Sequence, residues 1–228
     1  MIELAAFDIA GTTVDDGGAV YEALRTCVTE LGATVSDTNL SHWMGTDKVT
    51  AIENLARLGG VTIGRDEALG AFARFQELLA ERYRADPPRA IAGVEELIAR
   101  LRGAGVKVAL TTGFDRAVVN PLLASLGWSQ GRGDGVVLDA VITTDDVPAG
   151  RPAPYMIFRA MEATGVVSVA SVLAAGDTAV DVQAANNAGA ISVGVLTGQT
   201  PAEVLEGNGA DHVVESVVRV ATLPGVLD

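Results

Sequence analysis

Asp8 and Asp177 each stand immediately after a short apolar run, Thr111 and Thr112 close another, and Arg151 follows the loop "TTDDVPAG". Taken singly, an aspartate or threonine in such a place is most often a turn former or a helix cap. Taken together they fit one site, because reactive groups of open α/β sheets collect at the carboxyl ends of the strands. The stretch "GDTAVD" sets Asp177 at the end of a run and Asp181 four residues on, so both can face Asp8 around the start of the following helix. Three carboxylates of this kind form a hard oxygen set that suits Mg²⁺. The competing reading of Asp181 is that it only complements the dipole of its helix.

The elements needed to bring these residues together are legible as two textures. "IELAAFD", "VKVALTT", "LDAVITT", "SVLAAGD" and "ISVGVL" are apolar throughout, as buried parallel strands are when both faces of the sheet are covered. "GVEELIARLRGAG", "RAVVNPLLASLG", "PYMIFRAMEATG" and "AVDVQAANNAG" alternate with them and carry helical signals. The order predicts an α/β fold, a doubly wound, Rossmann-like parallel sheet. Residues 16–88 break the alternation. "VYEALRTCVTELG", "KVTAIENLARLG" and "DEALGAFARFQELLAERYR" are all helical in period, and "ADPPRAIAG" makes a stiff return. The expected organisation is a core of residues 1–15 and 89–228 with a helical cap, 16–88, inserted after the first strand.

At 228 residues with 49% hydrophobic content, the chain can bury a sizeable core. No apolar run reaches the length of a membrane span. A formal charge of −13 argues against a nucleic-acid surface, which needs clustered Lys and Arg. An anionic substrate would have to be met by a metal or by local positive charge, and Lys48 and Arg151 are the residues to watch. No secretory signal is visible at the N-terminus, and Cys27 is the single cysteine, which together predict a cytoplasmic protein. His42 and His212 lack partners at metal-ligand spacing, so a structural zinc site is not expected. "SQGRGDGV" reads as a surface loop rather than an adhesion motif. Phe72, Phe75 and Leu79 are expected to pack inside the cap, a homodimer face being the alternative.

With "DIAGTTVD", "LTTG", "GRPAP" and "GDTAVD" in this order, the chain resembles the haloacid dehalogenase superfamily of Asp-nucleophile phosphotransfer enzymes along its whole length. Within it the closest resemblance is to the phosphonatases. Its marks are Ala10 two residues after Asp8, "TTDDVPAGRPAPYM" with Arg151 where most relatives carry lysine, and "MGTDK" in the cap. The resemblance implies that Asp8 attacks phosphorus and that Asp8, Asp177 and the Ala10 carbonyl bind Mg²⁺ with Asp181 in support. It also implies that Thr112, rather than Thr111, holds the phosphoryl group, that Arg151 neutralises charge beside it, and that Met44, Gly45 and Gly113 lie at a small phosphonate or phosphate substrate.

Superfamily members commonly carry, two residues after the nucleophile, an acid that protonates a departing alkoxide, and Ala10 cannot serve. Cleaving phosphorus from carbon poses a different problem, because the leaving group is a carbanion. If the adjacent carbon is an aldehyde, an amine can convert it to a protonated imine that takes up the electrons as an enamine. Lys48 of "MGTDK" is the expected amine, and it has to be neutral to attack, so burial and nearby positive charge should depress its pKa. Otherwise Lys48 would be a solvent-facing lysine paired with Asp47 or Glu53. Phosphonatases also carry a cysteine, a histidine and a tyrosine where this chain has Gly18, Ala51 and Phe114. A phosphatase of small monoesters and a non-catalytic binding module on the same fold are the alternatives.

Overall fold

The computed structural model describes residues 1–131 and 135–227; the Arg132-Gly133-Asp134 stretch lies outside them. In chain order, strand β1 (Leu4–Phe7) and the short β2 (Val14–Asp15) lead into four helices: α1 (Ala19–Glu30), α2 (Asp37–Trp43), α3 (Lys48–Leu58) and α4 (Arg65–Ala85). The short β3 (Arg89–Ala90) follows, then α5 (Val94–Gly103), β4 (Lys107–Thr111), α6 (Arg116–Leu126), β5 (Trp128–Gln130), β6 (Val136–Leu138) and β7 (Ala140–Ile142). Last come α7 (Tyr155–Thr164), β8 (Val172–Gly176), α8 (Ala179–Ala188), β9 (Ile191–Val195), α9 (Ala202–Gly207) and β10 (His212–Val214).

Among the described residues the main sheet runs β10-β9-β8-β1-β4-β7, and its recorded pairings are parallel. From β1 the chain moves outward through β4 to β7, then crosses back to β8 on the other side. The order therefore reverses between β1 and β8, the position where such sheets open a crevice at the strand ends. Asp8 and Asp177 are the residues that follow these two strands.

Alternation along the strands sorts side chains onto two faces. Ala5, Phe7, Val108, Leu110, Leu173 and Ala175 join the cluster formed with α5 and α6. Leu4, Ala6, Ala109, Ala140 and Ala174 face α7 and α8. The run of alanines on that second face lets the two helices lie close against the sheet.

Between residues 19 and 85 the regular elements are the helices α1 to α4. Ala23, Leu24 and Val28 of α1, Ile52 and Leu55 of α3, and Phe75 and Leu79 of α4 belong to one buried cluster. Phe72 stacks on Phe75 with ring centroids 6.2 Å apart, so this apolar stripe packs inside the helical segment. The two links to the sheet run side by side, since β2 and β3 pair antiparallel through Val14–Ala90 and Asp15–Arg89. No helix among the described residues is long and apolar enough to cross a membrane.

Seven short elements among the described residues were not anticipated: β2, β3, β5, β6, α2, α9 and β10. Helix α2, capped by the Ser36 side chain accepting from Asn39 N–H, buries Leu40 alone. Strand β10 is a three-residue edge strand with no fully buried residue.

Candidate active site

β1 is held between β4 and β8, and the Asp8 N–H donates to the Ala175 carbonyl at 2.9 Å. The chain then turns sharply: the Ile9 carbonyl accepts from the N–H groups of Thr13 and Val14, and the Thr13 hydroxyl donates to the Asp8 carbonyl at 2.9 Å. Gly11 sits in this turn at φ +85°, and a Cβ there would stand 2.7 Å from an oxygen of Asp177. Only glycine meets both demands, the left-handed backbone and the approach to a carboxylate.

Asp8, Asp177 and Asp181 converge as the spacing predicts. An oxygen from each lies within 4.8 Å of the others, and all three residues are buried. Burial raises Asp8 to about 6, with Arg151 opposing and Asp181 adding to the rise. Burial, then Asp8 and Asp181, hold Asp177 well above the usual carboxylate range. The carboxylates are under-compensated by the protein's own cations, and such a set of hard oxygens fits a divalent cation. Asp181 is engaged at both oxygens: Oδ1 lies 2.6 Å from Arg151 Nη1, and Oδ2 accepts from Thr178 N–H at 3.1 Å and from Thr178 Oγ1. It both closes the capping box of α8 at Thr178, where it also complements the helix dipole, and serves as an ion-pair partner. Asp8 and Asp177 offer the oxygens left for a cation, and Ala10 lines the same cavity.

Arg151 is buried, with Nη1 2.7 Å from Asp8 Oδ1 and Nη2 donating to Thr111 Oγ1 at 2.9 Å. Burial works against its charge, yet Asp181 and Asp8 hold its pKa above the ordinary value. Thr111 thus orients Arg151. Thr112 faces the cavity instead, its hydroxyl accepting from Phe114 N–H at 3.2 Å.

From the helical segment, Lys48 comes to the same cavity as the first residue of α3, whose cap is Asp47, accepting from Thr50 N–H at 2.8 Å. Its side chain is buried, Nζ donating to the Thr46 carbonyl at 3.3 Å and lying 5.5 Å from the centre of the Phe114 ring. Glu53 pairs with Arg65 instead, at 2.8 Å. Burial lowers the Lys48 pKa to about 8; Asp8 works against that and Arg151 reinforces it.

The helical segment and the sheet loops meet at glycines. A Cβ at Gly45 would collide with the Thr178 hydroxyl and Val180, and one at Gly113 would stand 2.7 Å from the Thr46 carbonyl. Met44, Gly45, Lys48, Thr112, Gly113 and Arg151 line one cavity of about 200 Å³ with Asp8 and Asp177. Gly18 and Phe114 line it as well, while Ala51 is buried in α3. Sequence reasoning missed Tyr21, Thr197, Gly198 and Gln199 in the lining. Gly198 had a signal in principle, since a Cβ there would run into Asp177, but glycine in a turn is too common to announce such a contact.

Residues 2–189 match the model of the haloacid dehalogenase-like hydrolases. A phosphonoacetaldehyde hydrolase of Bacillus cereus is 32% identical over 213 aligned positions, covering 87% of this chain and 77% of the relative. One from Bacillus cytotoxicus is 30% identical with the same coverage. A hydrolase from Pseudomonas syringae superposes with a TM-score of 0.84 at 22% identity, covering 96% of each chain. A phosphonoacetaldehyde hydrolase-like protein from Oleispira antarctica does so at 0.82 and 21%, covering 97% of this chain and 90% of its own. With this strand order, this carboxylate cluster at the switch point and these relatives, the chain belongs to the haloacid dehalogenase-like hydrolases.

Proposed function

We propose that this hydrolase cleaves the phosphorus–carbon bond of phosphonoacetaldehyde or a closely related phosphonate, with Asp8 as nucleophile and Lys48 as imine-forming amine. The observation that carries the reading is the meeting of Asp8 and the buried Lys48 amine in one cavity, with Ala10 where an acid would serve a phosphate ester.

In this reading the neutral Lys48 amine adds to the aldehyde and water leaves, giving a protonated imine. The Asp8 carboxylate attacks phosphorus, and the electron pair of the phosphorus–carbon bond moves into the imine to give an enamine. Protonation at carbon and hydrolysis release acetaldehyde and restore Lys48, and a second water cleaves the aspartyl phosphate to inorganic phosphate. Arg151, held by Thr111 and Asp181, keeps Asp8 oriented and places positive charge beside the developing phosphoryl anion. Thr112 faces the cavity where it can donate to a phosphoryl oxygen. Mg²⁺, held by Asp8, Asp177 and the Ala10 carbonyl, would supply further charge neutralisation. The segment 16–88 acts as a cap that closes over the substrate and keeps water from the imine.

Borohydride added with phosphonoacetaldehyde should trap the substrate on Lys48, with acetaldehyde and phosphate formed in its absence. Release of phosphate from small monoesters with no adduct would replace this reading with that of a phosphatase.

A further inference from the structure

Among the described residues, the buried side-chain polar atoms without a hydrogen bond are Tyr21 Oη, Trp43 Nε1, Tyr83 Oη, Ser129 Oγ and Arg151 Nη1. Two of these belong to residues that line the cavity, Tyr21 and Arg151, and Arg151 Nη1 has its carboxylates. Tyr21 is therefore the side chain at the site whose polar atom is out of water with nothing to bond. A buried hydroxyl in that state costs stability, and it persists where another demand maintains it.

Its place is informative. Tyr21 stands in the first turn of α1, three residues after Gly18, which also lines the cavity. Gly18 has no side chain to fill the space, and a Cβ there would touch only the Gln199 amide, at 3.8 Å. The cavity is thus open at Gly18, one helical turn from Tyr21, with the Gln199 amide at its edge, and this is the helical side of the cavity. The phosphoryl end of a substrate is claimed by Asp8, Arg151 and Thr112 on the sheet side. Burial, and then the charges of Asp177, Asp16 and Asp181, keep the phenol protonated, so Tyr21 is a hydrogen-bond donor at every working pH.

We propose that Tyr21 is a specificity-determining residue of this site, its phenol O–H donating to an oxygen on the organic half of the substrate. The inference rests on the reading that the cavity takes a small phosphonate. It adds that the oxygen of the substrate's organic half, the aldehyde oxygen until imine formation releases it as water, is read from α1, and that the unmet hydroxyl is satisfied when that oxygen arrives. A site built to bond such an oxygen discriminates against a ligand lacking it.

The test is calorimetric binding to the Mg²⁺-supplemented protein of two ligands that differ by one oxygen, 2-hydroxyethylphosphonate and ethylphosphonate. Neither can form an imine, so Lys48 chemistry does not enter. The wild type should prefer the hydroxylated ligand by about fivefold, the worth of a neutral hydrogen bond. Tyr21→Phe should erase the preference, leave ethylphosphonate affinity unchanged, and lose no thermal stability, because the lost hydroxyl had no partner. A preference that survives in Tyr21→Phe, a wild type without preference, or a drop of several degrees in Tm would each overturn the inference while leaving the phosphonate reading intact. Failure of the wild type to bind either ligand would overturn both. Binding with the expected loss of preference, but without turnover of phosphonoacetaldehyde, would keep Tyr21 and reject the proposed reaction.

Discussion

If Lys48 forms the imine, the pH dependence of the reaction is set by the fraction of its amine that is neutral. At an ordinary lysine pKa of about 10.5, only about 0.03% would be neutral at pH 7. At about 8, where burial places it, the neutral fraction is about 10%, a gain of about 300-fold. Arg151 already contributes to the depression, and a bound divalent cation would add like charge and deepen it. Therefore kcat/KM for phosphonoacetaldehyde should rise about tenfold per pH unit from pH 6 and level off near pH 8 or below. The rate of borohydride trapping on Lys48 should follow the same curve. The assay is steady-state acetaldehyde release across pH 6–9.5 at constant ionic strength and saturating Mg²⁺, with trapped adduct located by mass spectrometry. A trapping curve still climbing at pH 9.5 would mean that the amine keeps a solvent-like pKa. A limb retained in Lys48→Ala would assign the titration to another group. Either result would refute the argument that burial prepares this lysine.

Asp8→Asn should abolish turnover, since an amide is neither an anionic nucleophile nor a comparable metal ligand; moderate residual activity would remove Asp8 from that role. The same variant should raise the Tm of the metal-free protein. Asp8 has a folded pKa raised to about 6, so between about 4 and 6 the folded state binds more protons than the unfolded one and stability falls as pH rises through that window. The gain from Asp8→Asn should thus be larger at pH 7.5 than at pH 4.5, and equal gains would refute the assignment. Arg151→Lys should lower kcat by about 100-fold or more, because one ammonium cannot hold Asp8, Asp181 and Thr111 in a fixed fork; wild-type rates would mean that Arg151 only packs the loop. Gly45→Ala should raise KM at least tenfold by setting a methyl against Thr178 and Val180 where the cap meets the sheet, and an unchanged KM would show that this contact is not needed for closure.

What the sequence made legible follows from where its signals are redundant. The strands that lead to Asp8 and Asp177 are buried on both faces, so their apolar runs announce them, and the candidate site positions follow from the residue after each run. Helix α2 lacks that redundancy: it buries Leu40 alone and begins at a serine that could equally cap a turn. Strand β10 is at the sheet edge, where one neighbour suffices and apolar content can be low. Lys48 came into view through a family motif; its burial depends on how its amine packs over the Phe114 ring, which periodicity does not report. Tyr21 was masked by its surroundings, since Val20, Ala23, Leu24 and Cys27 make α1 read as an ordinary amphipathic helix. Only the closed cavity distinguishes a tyrosine on the core face from one at the rim of a site.

The charges of the cavity supply a reason for Ala10 that does not depend on the identity of the leaving group. Asp8, Asp177 and Asp181 bring three carboxylates into a space where Arg151 is the permanent cation and Lys48 sits near the middle of its titration at about 8. Burial already lifts Asp8 and Asp177 above their ordinary range. A fourth carboxylate at position 10, which lines the same cavity, would join this set and raise all of its members further. It would also draw Lys48 toward its protonated form, since an adjacent negative charge favours the ammonium. An acid at this position and a neutral lysine across the cavity are therefore electrostatically opposed. A site that needs the amine for imine chemistry is better served by a methyl group, and one that needs the acid has no use for a buried, depressed lysine.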